Sequence, residues 1–159
     1  MPKIIIDDAK GLYQTSGKGV VGLTQSKTVN TAWASGATIS SGAITIPAKS
    51  LITAIHLVST TLFTAAAGRT SSVKVGTSTN DDEFVVNTQW ANNLAATAPG
   101  KGISTNTEIS TALSNSTPIE IIAGTSYVAS ETDVYIVSTS SGALTAGALQ
   151  FTVEFITFE

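Results

Sequence analysis

The last eleven residues constrain the fold most. Leu149-Gln150-Phe151-Thr152-Val153-Glu154-Phe155-Ile156-Thr157-Phe158-Glu159 alternates with period two. An extended strand points successive side chains to opposite faces. Leu149, Phe151, Val153, Phe155 and Thr157 therefore share one face, and Gln150, Thr152, Glu154, Ile156 and Phe158 share the other. The first face is apolar and needs a second layer against it. The second face is half polar. Ile156 and Phe158 are out of place on a free surface, and they predict a face covered by a neighbouring subunit.

Other segments carry the same signature. Residues 51–60 (Leu51-Ile52-Thr53-Ala54-Ile55-His56-Leu57-Val58-Ser59-Thr60) and 132–138 (Thr132-Asp133-Val134-Tyr135-Ile136-Val137-Ser138) are rich in β-branched side chains. Val73-Lys74-Val75-Gly76 and Ile119-Glu120-Ile121-Ile122 read as shorter strands, and Ile44-Thr45-Ile46 as one stopped by Pro47. Residues 140–147 read as the turn before the last strand. Residues 81–90, opening on Asp81-Asp82-Glu83, predict a helical turn, because acids favour a helix N-terminus. With almost no other helical period, the chain reads as an all-β antiparallel sandwich or barrel. Residues 1–35 stand apart. Gly11, Gly17, Gly19 and Gly22 break regular elements there. They predict an extended glycine-rich N-terminal arm with one or two short strands, followed by a β-sandwich domain over 36–159. The polar stretch 91–116 reads as a loop of the length that contacts other chains.

Composition narrows the function. Charged residues make up 12 % of the chain, against about 25 % in typical domains. Their place is taken by 19 Ser and 25 Thr. A net charge of −3 and a pI near 5.0 argue against nucleic-acid binding. With no Cys and a single histidine, His56, neither a thiolate nor a multi-histidine metal site is expected. No apolar run approaches the roughly 18 residues of a membrane helix. The first residues lack the apolar core of a signal peptide, so synthesis in the cytoplasm is expected. Charge is segregated along the chain: residues 9–80 carry a net +6 and residues 81–159 a net −8. Either two oppositely charged faces attract in an assembly, or the fold interleaves the halves and the separation disappears.

Each motif has a plainer structural reading. Gly17-Lys18-Gly19-Val20-Val21-Gly22 matches G-x-G-x-x-G, but no acid follows at the spacing a dinucleotide site needs, and residues 23–26 open a helix poorly. His56 sits mid-strand without a nucleophile elbow and reads as a structural or interface histidine. Asn80-Asp81-Asp82-Glu83 offers oxygen ligands, yet it lacks the spacing of a calcium loop and reads as a solvated turn. Trp33, Trp90, Tyr13, Tyr127 and Tyr135 could stack on sugars, with Trp90-Ala91-Asn92-Asn93 the best candidate. Core packing is the plainer reading. Asn115-Ser116-Thr117 is a glycosylation sequon with no secretion signal ahead of it. No catalytic, cofactor-binding or metal-binding residues are assigned, and no enzyme activity is expected.

Three segments then carry a resemblance. Residues 45–55 (Thr45-Ile46-Pro47-Ala48-Lys49-Ser50-Leu51-Ile52-Thr53-Ala54-Ile55) resemble an I-x-L-P-A-x-A-x-V-T-x-V pattern. Residues 72–85, with Val73-Lys74-Val75-Gly76-Thr77 and Asp81-Asp82-Glu83-Phe84-Val85, resemble L-K-V-G-T-x-x-D-D-D-A-F-V. Residues 144–155, with Leu144-Thr145-Ala146-Gly147 and Val153-Glu154-Phe155, resemble L-T-A-G-x-x-x-V-x-V-E-Y. In this order they are similar to small structural virion proteins of tailed bacteriophages, particularly of marine and cyanobacterial hosts. The resemblance covers 40–158 in pieces and leaves the arm uncovered. It implies a jelly-roll-like sandwich serving as a capsid decoration (cement) protein on the outer head surface. It also implies the major capsid protein as partner, a homotrimeric state, and no nucleic-acid or membrane partner. The contacts expected to do this work are the arm at 3–31 and the loop at 91–116. A tail or fibre-associated virion protein and a carbohydrate-binding module for host recognition are the alternative readings.

Overall fold

The computed structural model describes residues 3–7, 11–16, 19–22, 24–33, 36–64, 68–91, 93, 99, 102–104, 107–108 and 126–158. Every regular element among them is a strand. Three strands precede the body: β1 (Lys3–Asp7), β2 (Gly11–Ser16) and β3 (Gly19–Gly22). The body runs β4 (Gln25–Ala32), β5 (Gly36–Ser40), β6 (Ile44–Ile46), β7 (Ser50–Thr64), β8 (Ser71–Gly76), β9 (Val85–Ala91) and β10 (Gly102–Ser104). It continues with β11 (Thr107–Glu108), β12 (Tyr127–Val128), β13 (Thr132–Leu144) and β14 (Ala146–Thr157).

Pairing in the body is nested and antiparallel. β4 pairs with β14, β5 and β6 with β13, β7 with β10, and β8 with β9. In outline this is one long hairpin. The hairpin rolls over so that β14 lies along β7 and β13 along β8. Two sheets result: β11-β10-β7-β14-β4 with β12 on β7, and β5-β13-β8-β9 with β6 on β13. A long hairpin rolled in this way is a jelly-roll sandwich.

The core lies between the sheets, as the alternation in β14 requires. Leu149, Phe151, Val153 and Phe155 are buried against Ile52, Ile55 and Leu57 of β7. Val134, Ile136 and Leu144 of β13 and Val73 and Val75 of β8 face them from the other sheet. At one end, Phe63 of β7 meets Trp33 edge-on at 5.9 Å and Trp90 of β9 at 6.2 Å, which ties the sheets together. Aromatic pairs of this kind contribute about 0.5–1.5 kcal/mol beyond area burial. The Phe63 ring lies where a Cβ on Gly147 would stand, 2.2 Å away, and Gly147 has φ +139°. Only glycine fits this irregularity, where the β14–β7 register shifts.

Three expectations change. The boundary at 35 cuts through the sandwich, because β4 pairs with β14 over eight consecutive residues from Gln25↔Phe155 to Ala32↔Ala148. β4 is an outer strand of which only Val29 packs on the core, so it shows no apolar alternation. Ahead of it the chain forms three antiparallel strands, with Gly11, Gly19 and Gly22 at strand ends. Second, the stretch expected as a loop at 91–116 contributes β10 to the large sheet. Third, the acids at 81–83 do not start a helix. They sit in a tight turn where Thr77 N donates to Asn80 O at 2.8 Å, and Phe84 N returns to Val75 O at 2.9 Å. The turn folds so closely on Gly76 that a Cβ there would stand 2.0 Å from the Asn80 carbonyl. Burying Phe84, Val85 and Trp90 outweighs the local helix preference.

Candidate functional site

The tryptophans belong to the core. Trp90 is 0 % exposed, and its Nε1 donates to Ser71 Oγ and Ser138 Oγ, each 3.0 Å away. Those hydroxyls lie 3.0 Å apart, and Ser71 Oγ also reaches Thr139 O at 3.0 Å. A buried indole N–H needs a partner, and these serines supply it. Trp33 is buried too and donates to Gly36 O at 3.0 Å. Neither ring offers a face to a sugar. Tyr135 is half-buried and Tyr127 is 53 % exposed. The side chain of Tyr13 and the sequon at 115–117 lie outside the described residues.

The other candidates are also placed by strands and turns. Gly19–Gly22 is strand β3, preceded by the antiparallel strand β2, so the G-x-G-x-x-G match has no strand-to-helix turn. His56 lies on the outer face of β7, its Nε2 3.3 Å from Glu154 Oε1 on β14, with side chains 28 % and 38 % exposed. In the 80–83 turn the acids spread apart. Asp81 pairs with Lys74, and Glu83 Oε2 accepts from Thr77 Oγ1 at 3.3 Å. Among the described residues no three metal-ligating side chains converge. Among the described residues the segregated charges do not form two faces. β4, β5, β6, β7 and β8, from the positive stretch, each pair with β13 or β14 from the negative one.

What the fold does present is surface. The outer face of the large sheet is a ladder of short polar pairs. Thr28 and Thr152 hydroxyls are 2.8 Å apart, and Gln150 Nε2 donates to Asn30 Oδ1 at 3.1 Å. One corner is apolar, where Ile156, Leu51 and Tyr127 stand opposite one another across three strands. Ile156 and Phe158 are already half-buried in the single chain. On the smaller sheet an open trough of about 410 Å³ is lined only by uncharged hydroxyl and amide residues, among them Ser72, Gln89 and Thr139.

A residue that sequence reading passed over is Lys27. It stands opposite the buried Val153, so its side chain leaves the outer strand on the inner side while staying exposed at the sheet edge. Its Nζ crosses to donate to Thr45 O on β6. A lysine two residues before Val29, on the same side of an otherwise polar strand, is the signal that could have marked it.

The class defined by fold and surface is a small jelly-roll sandwich with polar outer faces. No protein-family model matches the chain, and no curated protein matches it. Among solved structures, a chain of the cyanophage Pam1 capsid asymmetric unit is similar in fold, with a TM-score of 0.52 at 13 % identity. The likeness spans 90 % of this chain and 89 % of that one.

Proposed function

We propose that this chain is a structural protein of a phage virion, and that within the virion it decorates the head. The observation that carries this reading is the likeness to a cyanophage capsid chain over nearly the full length of both. The three segments similar to small virion proteins support it independently of the fold. Structural chemistry fits as well. Outer faces built from Ser, Thr, Asn and Gln can be covered by protein without desolvating many charges. The partner in this reading is the major capsid protein, the self-assembly a trimer, and the location the outer capsid surface. Residues 1–24, ahead of β4, are the segment that reaches a neighbour.

The test mixes purified protein with expanded, undecorated heads and follows mass by light scattering. Saturable gain of mass on the outer surface is the expected result. No gain on any head preparation, with immunogold label on tails, would replace head by tail. A variant lacking residues 2–22 should lose head binding and stay folded. The deletion must stop there, because removing β4 would strip β14 of its partner along eight residues.

A further inference from the structure

The edges of the two body sheets are not alike. The β9 edge is irregular: its register with β8 shifts twice, and Thr88 Oγ1 takes the Val86 carbonyl at 2.9 Å. β5 and β6 are short and interrupted at 41–43, and β11 has two residues. β4 differs from all of these. Its eight residues hold one register with β14, without a bulge, Pro or Gly. Among the described residues no strand pairs along its far side. A long, regular, open edge is a template for another strand. Its only guard is Lys27, whose Nζ is held on the Thr45 carbonyl. Beside the edge runs a groove of about 340 Å³ lined by Lys27, Thr28, Val29, Ala43, Ile44 and Thr45.

We propose that this edge accepts strand β1 of a second copy of the chain. β1 is itself the outer strand of its sheet, paired only with β2 among the described residues. Its sequence, Lys3-Ile4-Ile5-Ile6-Asp7, is strongly β-forming. In either facing, alternation turns at least one isoleucine toward the groove side. Main-chain hydrogen bonds supply the affinity and the groove the selectivity, as in other strand additions. The acid is complementary to the guard: Asp7 takes the Lys27 ammonium and releases Thr45 O. Donor strand and acceptor edge are different surfaces, so the contact is heterologous and closes into a ring or propagates. This deepens the reading in which the N-terminal segment reaches a neighbour, but its test needs no capsid.

The chain has no cysteine, so single thiols report cleanly. Full-length Ile6→Cys, on the face of β1 away from Asp7, is mixed with full-length Thr28→Cys, on the face of β4 away from Lys27, under mild oxidation. A heterodisulfide in clear excess over that formed with Val86→Cys, on the β9 edge, is expected. In sedimentation equilibrium, Asp7→Lys and Lys27→Glu should each weaken self-association by about fivefold, the scale of one exposed ion pair. The double variant should restore it. A chain that is monomeric up to its solubility limit, equal cross-linking at both edges, or no rescue would overturn the proposal. Intact cross-linking with no head binding would sink the capsid reading alone.

Discussion

On the inner face of the large sheet, Leu149, Phe151, Val153 and Phe155 meet Ile52, Ile55 and Leu57 with no polar group among them. The inner face of the smaller sheet is interrupted by Ser71, Ser138 and Ser140, all buried, the first two gathered about the Trp90 indole. The large sheet's face is apolar through this stretch, bordered by the buried Ser59 on one side and the buried Ser50–Thr157 hydroxyl pair on the other. The smaller sheet's face places a large aromatic residue whose N–H must be satisfied inside the protein. The difference shows one use of the chain's many serines. A serine is small enough to sit in a core and still bond the backbone where the ladder fails. Ser41 does this between β5 and β6, where its Oγ accepts from Ile136 N at 2.9 Å. Ser59 does it beside an irregularity of β7, where its Oγ donates to Thr61 O at 3.2 Å.

The comparison breaks most visibly at Phe151, fully buried at the centre of the apolar face. Phe151→Ala should destabilise the chain by about 3–5 kcal/mol in urea unfolding, from lost transfer energy plus a cavity. On the other face the response should be smaller and non-additive. Ser138→Ala leaves Trp90 Nε1 with Ser71 Oγ, and should cost about 1 kcal/mol. The double change Ser71→Ala/Ser138→Ala removes both acceptors of a buried N–H, and should cost more than the two single changes together. Simple additivity would show that the serines act as fillers and not as partners of the indole.

The two faces were not equally legible. β14 shows its inward face because every second residue is large and apolar, and all-β architecture follows from that pattern. β9 was misread because its signal is local and its cause is not. Asp81-Asp82-Glu83 looks like a helix start, and only the distant Ser138 and Phe63 explain why Trp90 turns inward. β4 was invisible as part of the body for a related reason. An outer strand buries little, so Gln25-Ser26-Lys27-Thr28-Val29-Asn30-Thr31-Ala32 offers no alternation to read. Its place is dictated by β14, more than a hundred positions away. The plain reading of Trp90 as a core residue needed no knowledge of those partners, and it holds.

The outer faces give the smallest contrast. On the smaller sheet, Lys74 is paired with Asp81, and both side chains are partly exposed. On the large sheet the hydroxyl and amide pairs are neutral, as between Thr28 and Thr152, and they stand beside the His56–Glu154 contact. Asp81→Asn should cost no more than about 1 kcal/mol, and the cost should fade as salt screens the pair. Thr152→Val should also change stability by less than about 1 kcal/mol, since valine suits a strand and only one neutral cross-strand contact is lost. Its effect should be the same at low and high salt. Urea midpoints for both variants across a salt series separate the cases. A salt-dependent Thr152→Val would mean that the nearby His56–Glu154 pair couples into the hydroxyl ladder, and the large sheet's outer face would then have to be treated as electrostatic.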